Sequence, residues 1–153
     1  MITMKKLILT SLFIFASNTA HAVPSHFEIV VGSALLCRSQ VSAEYFNDYM
    51  ATNFGKPAFT SGGASWWKVS STLFGSQLEY IFVGSDQDFI GATFKDAPDK
   101  VIANLKDSMG IDYQQKATEK WVAPTYGVII KYNDKTTPTK MFCIGSPYSP
   151  DIT

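Results

Sequence analysis

Two carboxylates, Asp86 and Asp88, lie two residues apart in the polar segment 84–88 of this chain. Paired carboxylates can hold a cation, or can serve as the acid and base of a glycan hydrolase. A calcium loop needs more oxygen ligands at set positions around a glycine turn, and a third acidic residue is missing here. We therefore expect a solvated turn, predict no metal site and no cofactor, and keep Asp86 and Asp88 as candidate binding residues.

A carboxylate-based hydrolase is one alternative function for this sequence. Glu44 and Glu79 are the other acidic residues that could join Asp86 or Asp88 in such a site. A cleft that holds two carboxyl groups about 5–9 Å apart would favour this alternative. Carboxylates scattered on a convex surface would count against it. A second alternative, a carrier of a small ligand, needs an apolar cavity between the sheet and the helices.

Histidine is scarce, which removes the usual partner of a nucleophile or a zinc ion. Of the two histidines, His21 belongs to a predicted signal peptide and His26 lies close to the new N-terminus. A Ser-His-Asp triad, a Cys-His pair and a His-rich zinc site all need a well-placed imidazole. The single arginine, Arg38, could clamp a carboxylate or could be a surface residue. We expect a protein that is not an enzyme.

The two cysteines, Cys37 and Cys143, are separated by 106 positions and are predicted to form a disulfide. The chain has no C-x-x-C motif, and Lys140 is the only basic residue near Cys143. A catalytic thiol is therefore disfavoured. Closing a loop of about 100 residues lowers the entropy of the unfolded chain, which stabilises the folded state by up to about 4.7 kcal/mol.

Residues 1–22 have the features of a bacterial export signal. Lys5 and Lys6 precede an apolar run at 7–16, and Ala20-His21-Ala22 supplies small residues for cleavage before Val23. An apolar run of ten residues spans about 15 Å as a helix, half of a bilayer core, so no permanent membrane anchor is expected. The sequence predicts one exported domain at 23–153, periplasmic or secreted.

The charge of the mature chain argues against nucleic acid as a partner. Without Lys5 and Lys6, 11 basic and 13 acidic residues remain, a formal charge of −2. Nucleic-acid binding requires clustered Lys and Arg to displace counterions, and the sequence has no such cluster. The same composition weakens a role on anionic membranes.

Periodicity predicts an α+β domain in which a largely antiparallel sheet packs on two helices. Helices are expected after Ser42, ending at Gly55, and after Asp96, which would cap a helix that ends at Gly110. The order is β-α-β-β-β-α-β-β, with strands at 27–36, 66–70, 78–84, 89–94, 126–132 and 141–144. Alternation predicts that Leu78, Tyr80 and Phe82 share one face, and the polar turn after Gly84 predicts a hairpin between 78–84 and 89–94.

This order suggests a pseudo-two-fold repeat of two βαββ halves. The distance from Gly55 to Trp66 is 11 residues, and the distance from Gly110 to Trp121 is the same. In such a repeat the disulfide would join the first strand to the last.

The segment before Trp66 is the candidate binding loop. Ser61, Gly62 and Gly63 are small and are followed by Trp66-Trp67, and tryptophan is a frequent hot-spot residue. Neighbouring strand residues point to opposite faces, so we expect Trp67 in the core and Trp66 on the other, partly exposed face. The segment is unlike a phosphate-binding loop, because no Lys-Ser/Thr pair follows the glycines.

The favoured function is a non-enzymatic binding domain that occupies another protein, an enzyme or a toxin, through an aromatic loop. Nineteen aromatic residues in the 131-residue mature chain and a near-neutral charge support it. The size, export signal and single long-range disulfide are similar in format to small periplasmic inhibitor and immunity proteins, although no motif carries the likeness. The sequence makes no prediction of oligomeric state.

Overall fold

The computed structural model describes residues 22–123 and 127–145. The predicted signal peptide, apart from Ala22, and the tail after Gly145 lie outside the described residues. The described chain contains three helices and eight strands: α1 Phe27–Leu35, α2 Ala43–Phe54, β1 Phe59–Ser61, β2 Ala64–Leu73, β3 Ser76–Gly84, β4 Phe89–Phe94, α3 Pro98–Met109, β5 Gln114–Ala117, β6 Lys120–Val122, β7 Val128–Lys131 and β8 Thr139–Ile144. The predicted α+β class is confirmed.

The first element is a helix, so the strand predicted at 27–36 is wrong. The buried residues of α1 include Phe27, Val31, Ala34 and Leu35, which follow helical spacing. The error has a physical cause: the run is almost wholly apolar and contains three β-branched residues, which hides the helical period. Strands β1, β5 and β6 were not predicted, because each is three or four residues long and contains no buried residue, so no apolar alternation marks it.

Helix α1 ends in a Schellman motif in which a cysteine takes the left-handed position. Cys37 has φ 54°, its amide donates to the Ala34 carbonyl, and the Arg38 amide donates to the Ser33 carbonyl. Glycine usually fills this position, so the sequence offers no ordinary stop signal. Cys37 is bonded to Cys143 with a Cα–Cα distance of 5.5 Å. The disulfide is confirmed, but it joins the end of α1, rather than a first strand, to the last strand β8.

The other two helices begin and end near their predicted residues. Ser42 caps α2 by accepting a hydrogen bond from the Tyr45 amide at 3.3 Å. Helix α3 begins at Pro98 after an Ala97 N-cap and ends at Gly110, so the predicted cap at Asp96 is wrong. The Asp96 carboxylate instead accepts from the Gln77 amide and from Lys100, both at 2.8 Å.

All eight strands form one antiparallel sheet in the order β1-β2-β3-β4-β8-β7-β6-β5. The helices cover one face of it, and their apolar residues pack with the inward residues of the strands in the main core. One row of that inner face follows the register across six strands: Trp67, Ile81, Ala92, Met141, Ile129 and Trp121. A second, smaller cluster contains strand residues alone and lies on the opposite face, which we call the open face.

The predicted repeat of two βαββ halves is not confirmed. Trp66 and Trp121, the residues whose equal spacing suggested it, lie on opposite faces of the sheet. Trp121 packs against the main core in the row of Trp67, whereas Trp66 belongs to the open-face cluster.

A β-bulge in β3 alters the predicted alternation of that strand. The pairing with β4 shifts between Leu78 and Tyr80. Leu78 therefore lies in the main core, while Tyr80 and Phe82 lie on the open face. The prediction that Leu78 shares a face with Tyr80 and Phe82 is wrong, whereas the predicted β3–β4 hairpin is present.

Candidate functional site

The predicted binding loop is a tight β-hairpin turn. Ser61 pairs with Ala64, so Gly62 and Gly63 alone connect β1 to β2. Both glycines have positive φ, 60° and 71°, as a type I′ turn requires. The Ser61 carbonyl accepts a hydrogen bond of 3.0 Å from the Trp66 indole. The three small residues therefore fix the position of Trp66 rather than extend it towards a partner.

The two adjacent tryptophans point to opposite faces of the sheet, as predicted. Trp67 is 3% exposed in the main core, and its indole donates to the Gly55 carbonyl at 2.9 Å. Trp66 lies on the open face but is only 8% exposed, less than expected. Neighbouring aromatic rings, rather than a helix, cover it.

Trp66 is stacked between two phenylalanines. Its ring centroid lies 5.4 Å from that of Phe59 on β1 and 4.4 Å from that of Phe82 on β3, with interplanar angles of 17° and 26°. Because β2 lies between β1 and β3, these rings cover opposite faces of the indole. Tyr80 adds edge contacts to Phe59 and Trp66. The stack presents ring edges, and the half-exposed Phe59, to solvent.

The Phe82 ring lies directly over Gly91 on β4. The two residues are cross-strand partners, and a methyl group built at Gly91 would overlap the far end of the Phe82 ring. Only glycine permits this close approach. The ring stack therefore depends on a missing side chain as well as on the aromatic residues.

The strand register extends this cluster into two parallel rows on the open face. In what we call the apolar row, cross-strand partners over seven strands are Phe59, Trp66, Phe82, Gly91, Phe142, Val128 and Val122. In what we call the lysine row, partners over six strands are Lys68, Tyr80, Thr93, Lys140, Ile130 and Lys120. No residue of either row is acidic, and no described helix covers them.

Lys140 belongs to the lysine row, and its side chain reaches the rings of the apolar row. Its ammonium lies 3.9 Å from the ring centroid of Tyr132 and 5.3 Å from those of Trp66 and Phe82. Burial lowers the pKa of Lys140, while the aromatic faces favour its charged form. No carboxylate within the described residues lies within ion-pair distance of it. Its neighbour in the row, Thr93, has a buried hydroxyl that makes no hydrogen bond.

Glu79 is the carboxylate that lies beside the lysines at one side of this face. Its two carboxylate oxygens pair with Lys95 at 2.9 Å and with Lys68 at 3.4 Å. The hydrogen bond from Lys95, together with the charges of both lysines, lowers the pKa of Glu79 against the opposing effect of burial. A carboxylate held ionised in this way is unsuited to act as a general acid.

The two aspartates differ in the contacts that they make. The Asp88 carboxylate accepts a hydrogen bond of 2.8 Å from the Ala43 amide at the start of α2, and its carbonyl accepts from the Gly145 amide. Asp88 thus joins the β3–β4 turn to a helix and to the end of β8. Asp86 is exposed and makes no hydrogen bond or ion pair within the described residues.

Of the other acidic candidates, Glu79 lies away from the aspartates, whereas Glu44 is next to Ala43, whose amide donates to Asp88. Gly84, the last residue of β3 before the turn that contains the aspartates, lies five positions after Glu79, about 16 Å of extended chain. This distance exceeds the spacing of a glycosidase pair. Glu44 is exposed in the first turn of α2. Among the described residues, no three His, Cys, Asp or Glu side chains are grouped as metal ligands would be.

One surface depression bears on the carrier alternative. It has a volume of about 290 Å³ and is lined mainly by polar residues of β2 and β3, with Lys95 at one side. Its polar lining differs from the apolar cavity that such a carrier needs.

Arg38 lies just after α1, is exposed, and acts electrostatically on Tyr113. Burial raises the pKa of Tyr113, and the Arg38 charge opposes that rise. His26 is exposed and lies edge-on to Tyr49, with ring centroids 5.6 Å apart.

Comparison of this chain with protein-family models, with curated proteins and with solved structures finds no match. In the part of the chain that the structure describes, no helix is long and apolar enough to cross a membrane. The intramolecular disulfide is compatible with an extracellular or periplasmic protein.

Proposed function

We propose that this chain is an exported, periplasmic or secreted, non-enzymatic domain that binds another protein, in the manner of an inhibitor or a toxin-immunity protein. The observation that carries the proposal is the open face, on which an apolar row crosses seven strands and none of the three described helices covers it. Neighbouring rings cover Trp66 and Phe82, but Phe59, Phe142 and Val122 of this row remain partly exposed, and exposed apolar patches are typical of interaction sites.

The rigidity of this face supports binding over catalysis. The ring stack on Gly91, the hairpin at Gly62-Gly63 and the Cys37–Cys143 bridge all restrict movement of the surface. A preformed surface loses little entropy on association. Two of the four candidate catalytic carboxylates have other roles: Glu79 is ion-paired with two lysines, and Asp88 accepts from the first amide of α2.

The proposal also changes the expected place of contact. The predicted binding residues Ser61, Gly62 and Gly63 support the surface from one end. Trp66 belongs to it as a covered central ring, and Asp86 remains a candidate contact at the β3–β4 turn. Phe59, 43% exposed, and Ile144, 58% exposed, provide apolar area that a partner could cover.

Site-specific photocrosslinking followed by titration tests this proposal. A benzophenone side chain is placed at Ile130 or Ile144 on the open face, and at Ile29 on α1 as the matched control. Ile29 is 73% exposed and belongs to the helical layer. The variants are exposed to the periplasmic or secreted fraction of the producing cells, and the captured protein is identified, purified and titrated by calorimetry.

We expect crosslinks from Ile130 or Ile144 but not from Ile29, and one-to-one binding of the purified partner. If the partner is an enzyme or a toxin, one equivalent of this domain should abolish its activity. Crosslinks from Ile29 alone, or a purified protein that does not bind, would overturn the proposal. Turnover of a glycan by the domain alone would favour the hydrolase instead.

A further inference from the structure

The charge of the open face is distributed unevenly. The lysine row contributes Lys68, Lys140 and Lys120, and Lys95 lies beside Lys68. Glu79 alone opposes them among the described residues that these side chains contact. The face is therefore basic, although the mature chain as a whole is formally negative.

Lys140 is the most distinctive of these lysines. Its side chain is half-buried, and its ammonium lies over three aromatic rings with no described carboxylate within ion-pair distance. Lys68 and Lys95, by contrast, already share Glu79. A desolvated cation beside apolar surface gains most from an anion brought by a partner, because the surrounding rings weaken the screening by water.

Resting on the proposed function, we propose that the open face binds an acidic segment of a partner protein, with one carboxylate of that segment on Lys140 and apolar side chains along the apolar row. The row fixes the spacing of further acidic groups. Adjacent strands lie about 4.8 Å apart, so Lys120 lies about 10 Å from Lys140 and Lys68 lies about 14 Å away on the other side. An extended segment rises about 3.3 Å per residue and points alternate side chains to the same face, so acidic residues four positions apart share a face and span about 13 Å. Flexible lysine side chains let three such residues meet Lys68, Lys140 and Lys120.

Other occupants fit the same face less well. A sugar ring or a base would stack on a free aromatic face, but Phe59 and Phe82 cover both faces of Trp66. A second copy of this chain would oppose one lysine row with another. A lipid surface would take up neighbouring exposed apolar side chains together, whereas Phe59 on β1 and Ile144 on β8 lie four strand spacings apart, about 19 Å.

A short synthetic peptide serves as the probe. It carries three glutamates, each four positions from the next so that all three point to one face, with leucine or valine between them. One control peptide replaces the glutamates by glutamines, and a second groups the glutamates together. Each is titrated to about 1 mM into the isotope-labelled domain while amide shifts are recorded, and vesicles containing phosphatidylglycerol are tested in parallel.

We expect the spaced acidic peptide to shift amides along the two rows, and both control peptides to bind at least several-fold more weakly. Lys140→Met, which keeps an unbranched apolar stem over the rings, should raise Kd about tenfold, as for a hydrogen bond to a charged group. Lys56→Met, which removes an equal charge from a loop residue with no described ion pair, should leave Kd unchanged.

Shifts outside the open face, no binding at about 1 mM, or equal binding by Lys140→Met would overturn this inference. Binding to vesicles without binding to the peptide would overturn it in favour of a lipid surface. None of these results decides the proposed function, because the crosslinking and titration with a purified partner do not depend on the partner's charge.

Discussion

Replacing Gly91 by alanine should change stability in opposite directions, depending on whether Phe82 is present. In the wild-type chain, the new methyl group overlaps the far end of the Phe82 ring. The ring cannot move away freely, because its other neighbour is Trp66 at a centroid distance of 4.4 Å. Overpacking of this kind costs about 1–3 kcal/mol.

In a Phe82→Ala background the ring is absent and the overlap disappears. Alanine is then favoured over glycine within a strand by about 0.5–1 kcal/mol, because glycine loses more backbone entropy on folding. The two substitutions should therefore be coupled by about 1.5–4 kcal/mol. A residue pair in direct contact is the case in which such non-additivity is expected.

Urea denaturation of the wild type, the two single variants and the double variant measures this coupling. Unfolding is monitored by tryptophan fluorescence and far-UV circular dichroism. If Phe82→Ala is too unstable to study, Phe82→Leu replaces it, since leucine lacks the terminal ring atoms that overlap. An equal loss of stability from Gly91→Ala in both backgrounds would show that the Phe82 ring does not lie on Gly91.

Three further perturbations test other contacts. Replacing both Cys37 and Cys143 by alanine should lower the free energy of unfolding by at most about 4.7 kcal/mol, and an unchanged melting temperature on reduction would contradict the bridge. Asp88→Ala should cost about 1 kcal/mol by removing the acceptor at the start of α2, whereas Asp86→Ala should stay within about 0.5 kcal/mol; equal effects in thermal melts would refute this division. The lowered pKa of Glu79 stabilises the fold above its ordinary pKa of 4.5, and that contribution is lost as pH falls through the lower folded value. Glu79→Gln should therefore lose less stability than the wild type between neutral and acidic pH in denaturant titrations, and parallel losses would exclude an ionised Glu79 pair.

The elements that sequence could predict are those with a readable period or a standard end. Helix α2 has a serine cap and a terminal glycine, and α3 begins at a proline and ends at a glycine, so both were located. Helix α1 was missed because its apolar residues surround the helix and because Cys37, with φ 54°, stands where glycine usually ends a helix. The disulfide holds that residue in place, and tertiary constraint of this kind leaves no local signal.

The candidate surface was only partly predictable for a related reason. Alternation identified Trp66 and Trp67 as facing opposite sides, and it grouped Tyr80 with Phe82. The link to Lys140 depends on β4 pairing with β8, and strand register between distant segments is invisible to local periodicity. A search for lysines flanked by outward-facing aromatic residues on several strands is the only sequence signal that would have suggested this surface.

The sheet order also has a consequence for how the chain folds. Strands β1–β4 form one run of neighbours and β5–β8 form another, and the runs meet at the β4–β8 pair, whose partners are 45–55 positions apart. Each run can form from local contacts, whereas joining them requires closure of a long loop and should be slow. Cys143 is the β8 residue that pairs with Ile90 of β4. Formation of the disulfide in the exported chain would therefore hold β8, the strand that pairs last, near β4. A reduced chain should spend longer in a partly folded state in which the edge of β4 is unpaired.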